Sequence, residues 1–267
     1  MSPTGGTLST FYLFGTALAA GSLTPLPLVP IAAIGRRFFI LCTFISLLSY
    51  AAVISWEGIA LHPCHWGAVA LAIAYNVSVP KTGGKLSTAL LWAAVFLANA
   101  GLVAEAWTPK AELPGLGAAT GAYRAPTAVS SAALLGTSLV AMVLGHWYLV
   151  VRGLSFDFLR RSVQAFGVAL IFRAGVLAAA VIGQWDRWAG LWSDLGASHF
   201  ALGYGFFAGA RVLFGLLATA FLGWMAFVCV RERSSQSATG ILYVVVAFVL
   251  IGEILACHLL AASGLLL

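Results

Sequence analysis

Within the apolar run 241–267 the sequence reads IGEILACHLL (251–260), which sets the carboxylate of Glu253 and the imidazole of His258 among residues that avoid water. Two other apolar runs carry arginines, Arg173 in IFRAG and Arg211 in GARVLFG. A charge at the centre of a bilayer costs about 2.5–3.5 kcal/mol on insertion scales, so such groups face the bundle interior and pair. Glu253 therefore has two candidate partners. Two guanidiniums against one carboxylate leave a surplus of positive charge and of N–H donors. That surplus suits a ligand whose oxygens accept hydrogen bonds, such as a quinone head group. In that chemistry Glu253 or His258 exchanges the proton, and Arg173 or Arg211 orients the ring.

Depth follows from the helical rise of 1.5 Å per residue. Counted along their spans, Glu253, Arg173 and Arg211 reach roughly 18, 21 and 22 Å from one membrane face, with Asn99 near 20 Å, Tyr50 near 18 Å and His258 near 25 Å. These groups collect in one polar belt in the outer half of the membrane. His258 follows Glu253 by five positions, about 140° around a helix, so the two cannot share a face. One outer haem b with His258 as a ligand is compatible with this pattern. Two stacked haems are not, because His146 in LGHWYLV has no histidine at its level.

The motif HPCHW (62–66) brings His62, Cys64 and His65 to the mouth of a span. Copper or zinc favours such mixed ligands, but three donors this close seldom satisfy one ion. Helix capping and interface anchoring suit the two histidines better, beside a part in the quinone site. The four cysteines show no C-x-x-C spacing, so neither covalent haem attachment nor a structural zinc centre is expected. No nucleotide-binding loop and no hydrolase motif occurs.

The elements that position these residues are membrane helices. Of 267 residues 61% are hydrophobic and 8% charged, and mean hydropathy is +1.00; soluble domains carry about 25% charged residues. The expected class is an all-α polytopic membrane protein. Apolar runs predict eight transmembrane helices, at 9–30, 38–60, 64–80, 86–107, 127–151, 158–183, 206–230 and 241–264. They fall into two four-helix halves, 1–108 and 127–267, joined by an outer linker at 109–126, within one membrane domain.

The net charge of +6 reflects orientation rather than nucleic-acid binding. Arg36, Arg37, Lys81, Lys85, Arg152, Arg160, Arg161, Arg231 and Arg233 fall on one side, and Lys110, Arg124, Arg187 and Arg211 on the other. The richer side is expected in the cytoplasm, with both termini outside a bacterial inner membrane. In QWDRWAGLWSDL (184–195), Trp185, Trp188 and Trp192 share one face of a short helix lying in the interface.

The predicted eight-span architecture and the Gly-Glu pair of IGEILA (251–256) resemble the membrane-anchor subunits of polysulfide-reductase and dimethyl-sulfoxide-reductase type complexes. The resemblance implies a quinone site near the outer face, no redox cofactor inside the anchor, and partner subunits carrying iron–sulfur clusters. The expected function is thus an integral membrane subunit of a respiratory or photosynthetic electron-transfer complex, with iron–sulfur or cytochrome proteins as partners. A transporter with a midplane site is the rival from another class. Against it, Pro25, Pro27 and Pro30 interrupt one span and nothing matches them in the second half. A purely structural anchor is the third possibility.

Overall fold

The computed structural model describes residues 9–57, 61–78, 84–107, 121–151, 153–186, 188–190, 192–193 and 201–266. Among these residues there is no strand. A hydrocarbon core offers no water to backbone N–H and C=O groups, so each spanning segment must satisfy its own.

The long helices are α1 (Thr10–Leu23), α2 (Arg36–Glu57), α3 (Pro63–Ser78), α4 (Lys85–Trp107), α5 (Gly121–Val150), α6 (Phe156–Gly183), α7 (Gly203–Arg231) and α8 (Ser235–Ser263). Among the described residues seven segments are long and apolar enough to cross a membrane. The α3 helix is the exception. Its 16 residues span about 24 Å against a hydrocarbon core of about 30 Å.

Helix boundaries have local causes. Ser9 caps α1, its hydroxyl accepting from the Tyr12 N–H at 3.1 Å. The helix ends at Leu23, earlier than the predicted residue 30, because Pro25, Pro27 and Pro30 lack N–H donors and limit the chain to a 3₁₀ turn at Leu26–Leu28. At the far end of the sequence Gly264 adopts φ +70° and closes α8 through an N–H bond to the Leu260 carbonyl. Helix α5 starts at Gly121, so residues 121–126, expected in the linker, are helical and Pro126 lies inside the helix.

Helices α1 and α5 form the buried centre. Gly21 and Gly136 let their backbones meet: a Cβ on Gly21 would lie 2.2 Å from the Ala132 carbonyl oxygen, and one on Gly136 would lie 1.8 Å from that of Gly21. With Ala17 and Ala132 four residues earlier on each helix, this is the small-xxx-small packing that substitutes for hydrophobic drive inside a membrane. Helices α2 and α4 pack on α1, α3 packs on α4, α6 and α8 pack on α5, and α7 closes against α6 and α8. Phe38, Leu134, Leu144, Leu159 and Leu242 fill the interior away from the polar groups.

The ends of α2, α4, α6 and α8 and the starts of α1, α3, α5 and α7 meet at one face, called here the Ser9 end. Trp56, Trp66, Trp107, Trp185 and Trp192 all belong to this end and are exposed. Helical turns occur at 185–186, 188–190 and 192–193.

Candidate functional site

Among the described residues, two buried polar clusters lie in the half of the bundle toward the Ser9 end. The deeper one is built on Glu253. From its distance to Ser263, Glu253 lies roughly 15 Å below that end, as Arg173 does below Gly183. Glu253 Oε1 accepts from Arg173 Nε at 3.1 Å and from Arg211 Nη2 at 2.7 Å. Oε2 accepts from Arg173 Nη2 at 2.9 Å and from Ser131 Oγ at 2.6 Å. A carboxylate offers about four lone-pair sites, and here all four are used. The pairing expected from depth is present, and both arginines take part.

All three ionic side chains are cut off from solvent, at 1% exposure for Arg173 and 0% for Arg211 and Glu253. The trio carries one net positive charge. Neither Nε nor Nη1 of Arg211 meets an acceptor among the described residues, and unmet buried donors are costly.

Glycines make the space. A Cβ on Gly215 would lie 2.1 Å from Arg211 Nη1, and one on Gly252 would lie 2.4 Å from the Gly215 Cα. Immediately after Arg211 and Val212, residues Leu213–Ala218 widen into a π-helix. Such bulges recur at functional sites. The bulge brings Gly215 onto Gly252, so the Gly-Glu pair serves both helix contact and charge.

The shallower cluster is built on Glu105, which sits two residues before the end of α4. The Tyr12 hydroxyl donates a hydrogen bond to Glu105 Oε1. His65 Nε2 lies 3.5 Å from Glu105 Oε2, and His65 Nδ1 shares a 3.0 Å hydrogen bond with the Tyr50 hydroxyl. The His65 ring is fully buried and fits only because position 101 is glycine: a Cβ there would stand 2.6 Å from its Cε1.

A cavity of about 50 Å³ separates the clusters, walled by Glu105 and Arg124 toward the Ser9 end and by Ser131 and Arg173 on the deeper side. It has room for on the order of three waters.

The remaining predicted residues stand elsewhere. Asn99 donates to Thr24 Oγ1 at 3.0 Å and to the Val95 carbonyl. Its depth matched the belt, but its azimuth points it at the prolyl end of α1. His258 is on the exposed face of α8, edge-on to Phe207 with ring centroids 5.2 Å apart, so it does not join the Glu253 cluster. His62 receives the Cys64 N–H on Nδ1 at 3.3 Å, a capping contact at the start of α3. His146 pairs with Tyr243 near the opposite end. Among the described residues no group of three metal-ligating side chains converges.

Sequence reasoning missed Glu105, Tyr12 and Ser131. A glutamate beside Trp107 resembles an ordinary helix end; only the packing of α1 and α3 against α4 makes it buried. Comparisons with protein-family models, curated proteins and solved structures give no match to this chain.

Proposed function

We propose that the chain is an integral membrane subunit of an electron-transfer complex that binds a quinone or quinol head group beside the Arg173–Glu253–Arg211 trio. One observation carries the reading: two fully buried arginines share one saturated carboxylate, leaving a net positive charge and unmet donors on Arg211. Packing alone gives little reason to keep such groups, because interhelical hydrogen bonds in membranes average about 0.6 kcal/mol. A ligand with electron-rich oxygens is drawn to the net positive charge of the trio. Carbonyl and reduced quinone oxygens have that chemistry.

In this reading the head group enters through the cavity, which Arg173 lines and Arg211 does not, and its oxygens meet the positive charge of the trio at the Arg173 guanidinium. Leu13, Ala17, Ala106, Ala256 and Leu260 give the cavity an apolar wall, and a ring larger than its roughly 50 Å³ needs the two leucines to move. The role of Glu253 is to hold both guanidiniums, since no lone pair remains to take a proton. The 16-residue α3 completes eight spans as a short helix, the Ser9 end faces outward, and iron–sulfur or cytochrome proteins dock on the bundle.

The test is isolation from native membranes in mild detergent, followed by solvent extraction and analysis of partner proteins. The expected result is a bound quinone near one per chain, together with a redox-active partner. A chain that carries no quinone, takes up none when it is supplied and brings no redox partner contradicts the proposal and leaves the trio as a structural clasp.

A further inference from the structure

The Arg173–Glu253–Arg211 trio has no acceptor position to spare, so a proton needed at this site must come from another group. Glu105 is placed differently. Its neighbours include one hydroxyl from α1 (Tyr12), one imidazole from α3 (His65) and, on the same cavity wall, Arg124 of α5; Tyr50 of α2 stands behind the imidazole. His65 Nε2 has no hydrogen-bond partner among the described residues, although the ring is fully buried and aimed at the carboxylate. Tyr50 holds the other ring nitrogen, and Gly101 leaves the ring its space. An imidazole fixed on one side and 3.5 Å from a carboxylate on the other is one small rotation from a proton-passing contact.

The position favours exchange with water. Tyr12, His65 and Glu105 each lie within two residues of a helix terminus, roughly 3 Å from the Ser9 end. On its inner side Glu105 opens on the cavity whose far wall is Ser131 and Arg173.

We propose that Glu105 is the proton-exchanging carboxylate of this protein, loaded through His65 from the aqueous phase at the Ser9 end and discharging into the water-sized cavity. The incoming proton reaches the ring at Nδ1 through the Tyr50 hydroxyl, which gives up its own proton and takes one from water, while the proton on Nε2 moves to Oε2 of Glu105. The carboxylate becomes a carboxylic acid, and the ring is a neutral imidazole that carries its remaining proton on Nδ1, toward Tyr50. The acid then gives its proton to cavity water and is a carboxylate again. Delivery from that water to a reduced quinone oxygen rests on the function proposed above; exchange at Glu105 does not.

The experiment is an infrared titration of the purified, quinone-free full-length chain in lipid, recorded in H2O and D2O. Lowering the pH is expected to raise a reversible, deuterium-sensitive carbonyl band of a protonated carboxylic acid that Glu105→Gln lacks. If the titration of Glu105→Gln matches wild type, the proposal is overturned, whatever quinone does at Arg173. Should that variant not fold, Tyr12→Phe decides. Loss of the tyrosine hydrogen bond is expected to move one acid carbonyl band to higher frequency, and an unchanged band overturns the proposal. Loading through His65 is read as a rate: after a pH jump the band is expected to rise at least about tenfold more slowly in His65→Phe. Equal rates remove His65 from the route.

Discussion

Replacing Glu253 with glutamine keeps the side chain's shape and removes its charge, which isolates the electrostatic part of the buried trio. In the native protein four hydrogen bonds converge on the two carboxylate oxygens, three of them from guanidiniums. Glutamine has one oxygen to accept them, and its NH2 must face arginine N–H groups or Ser131. Two guanidiniums, both at 1% exposure or less, then lose the carboxylate charge they share. Removing one partner of a buried ion pair costs about 3–5 kcal/mol, a change of more than about a hundredfold in the unfolding equilibrium. Reversible unfolding in mixed micelles measures this directly. Adding Arg211→Gln to the same chain removes one stranded charge, so the double variant is expected to be more stable than additivity allows, with a coupling of about 0.5–3 kcal/mol. Loss of less than about 1 kcal/mol in Glu253→Gln, with no coupling to Arg211, would refute the reasoning, because surface pairs behave that way.

Three other substitutions probe the packing. Gly21→Ala places a methyl carbon 2.2 Å from a backbone oxygen of α5, and is expected to cost at least about 1–3 kcal/mol in the same unfolding assay. Gly101→Ala crowds the His65 ring and is expected to break its bond to Tyr50, read as a changed chemical shift of the labelled imidazole. His258→Ala, on the exposed face of α8, is expected to leave stability within about 0.5 kcal/mol of wild type; a larger loss would put His258 in the core.

The sequence made the helices and the Glu253–Arg173–Arg211 contact legible because hydropathy marks spans and a fixed rise converts position into depth. Depth is one coordinate of three. Asn99 and Glu253 were expected at similar depths, yet Asn99 turns toward Thr24. His258 was separable from Glu253 by helical angle, but whether it faced lipid or protein depended on where α7 packs. Ser131 gave no signal, since a serine within a buried helix usually bonds its own backbone, as Ser138 does to the Leu135 carbonyl. Glu105 was hidden by its place at a helix end, where charged residues are ordinary. The π-helix after Arg211 has no pattern in LFGLLA that sets it apart from α-helix.

Quinone affinity across a small set of single variants tests the central claim most directly. Binding of a short-chain quinone to wild type, Arg173→Gln, Arg211→Gln and His258→Ala can be followed by quenching of the intrinsic tryptophan fluorescence, after each variant is checked for folding. A hydrogen bond from a charged donor is worth about 1.5–3 kcal/mol. Arg173→Gln is therefore expected to weaken binding by about tenfold to a hundredfold, Arg211→Gln to weaken it as the trio loses its surplus charge, and His258→Ala to leave it unchanged. Folded arginine variants that bind quinone as tightly as wild type, or a wild type that binds none, would contradict the account.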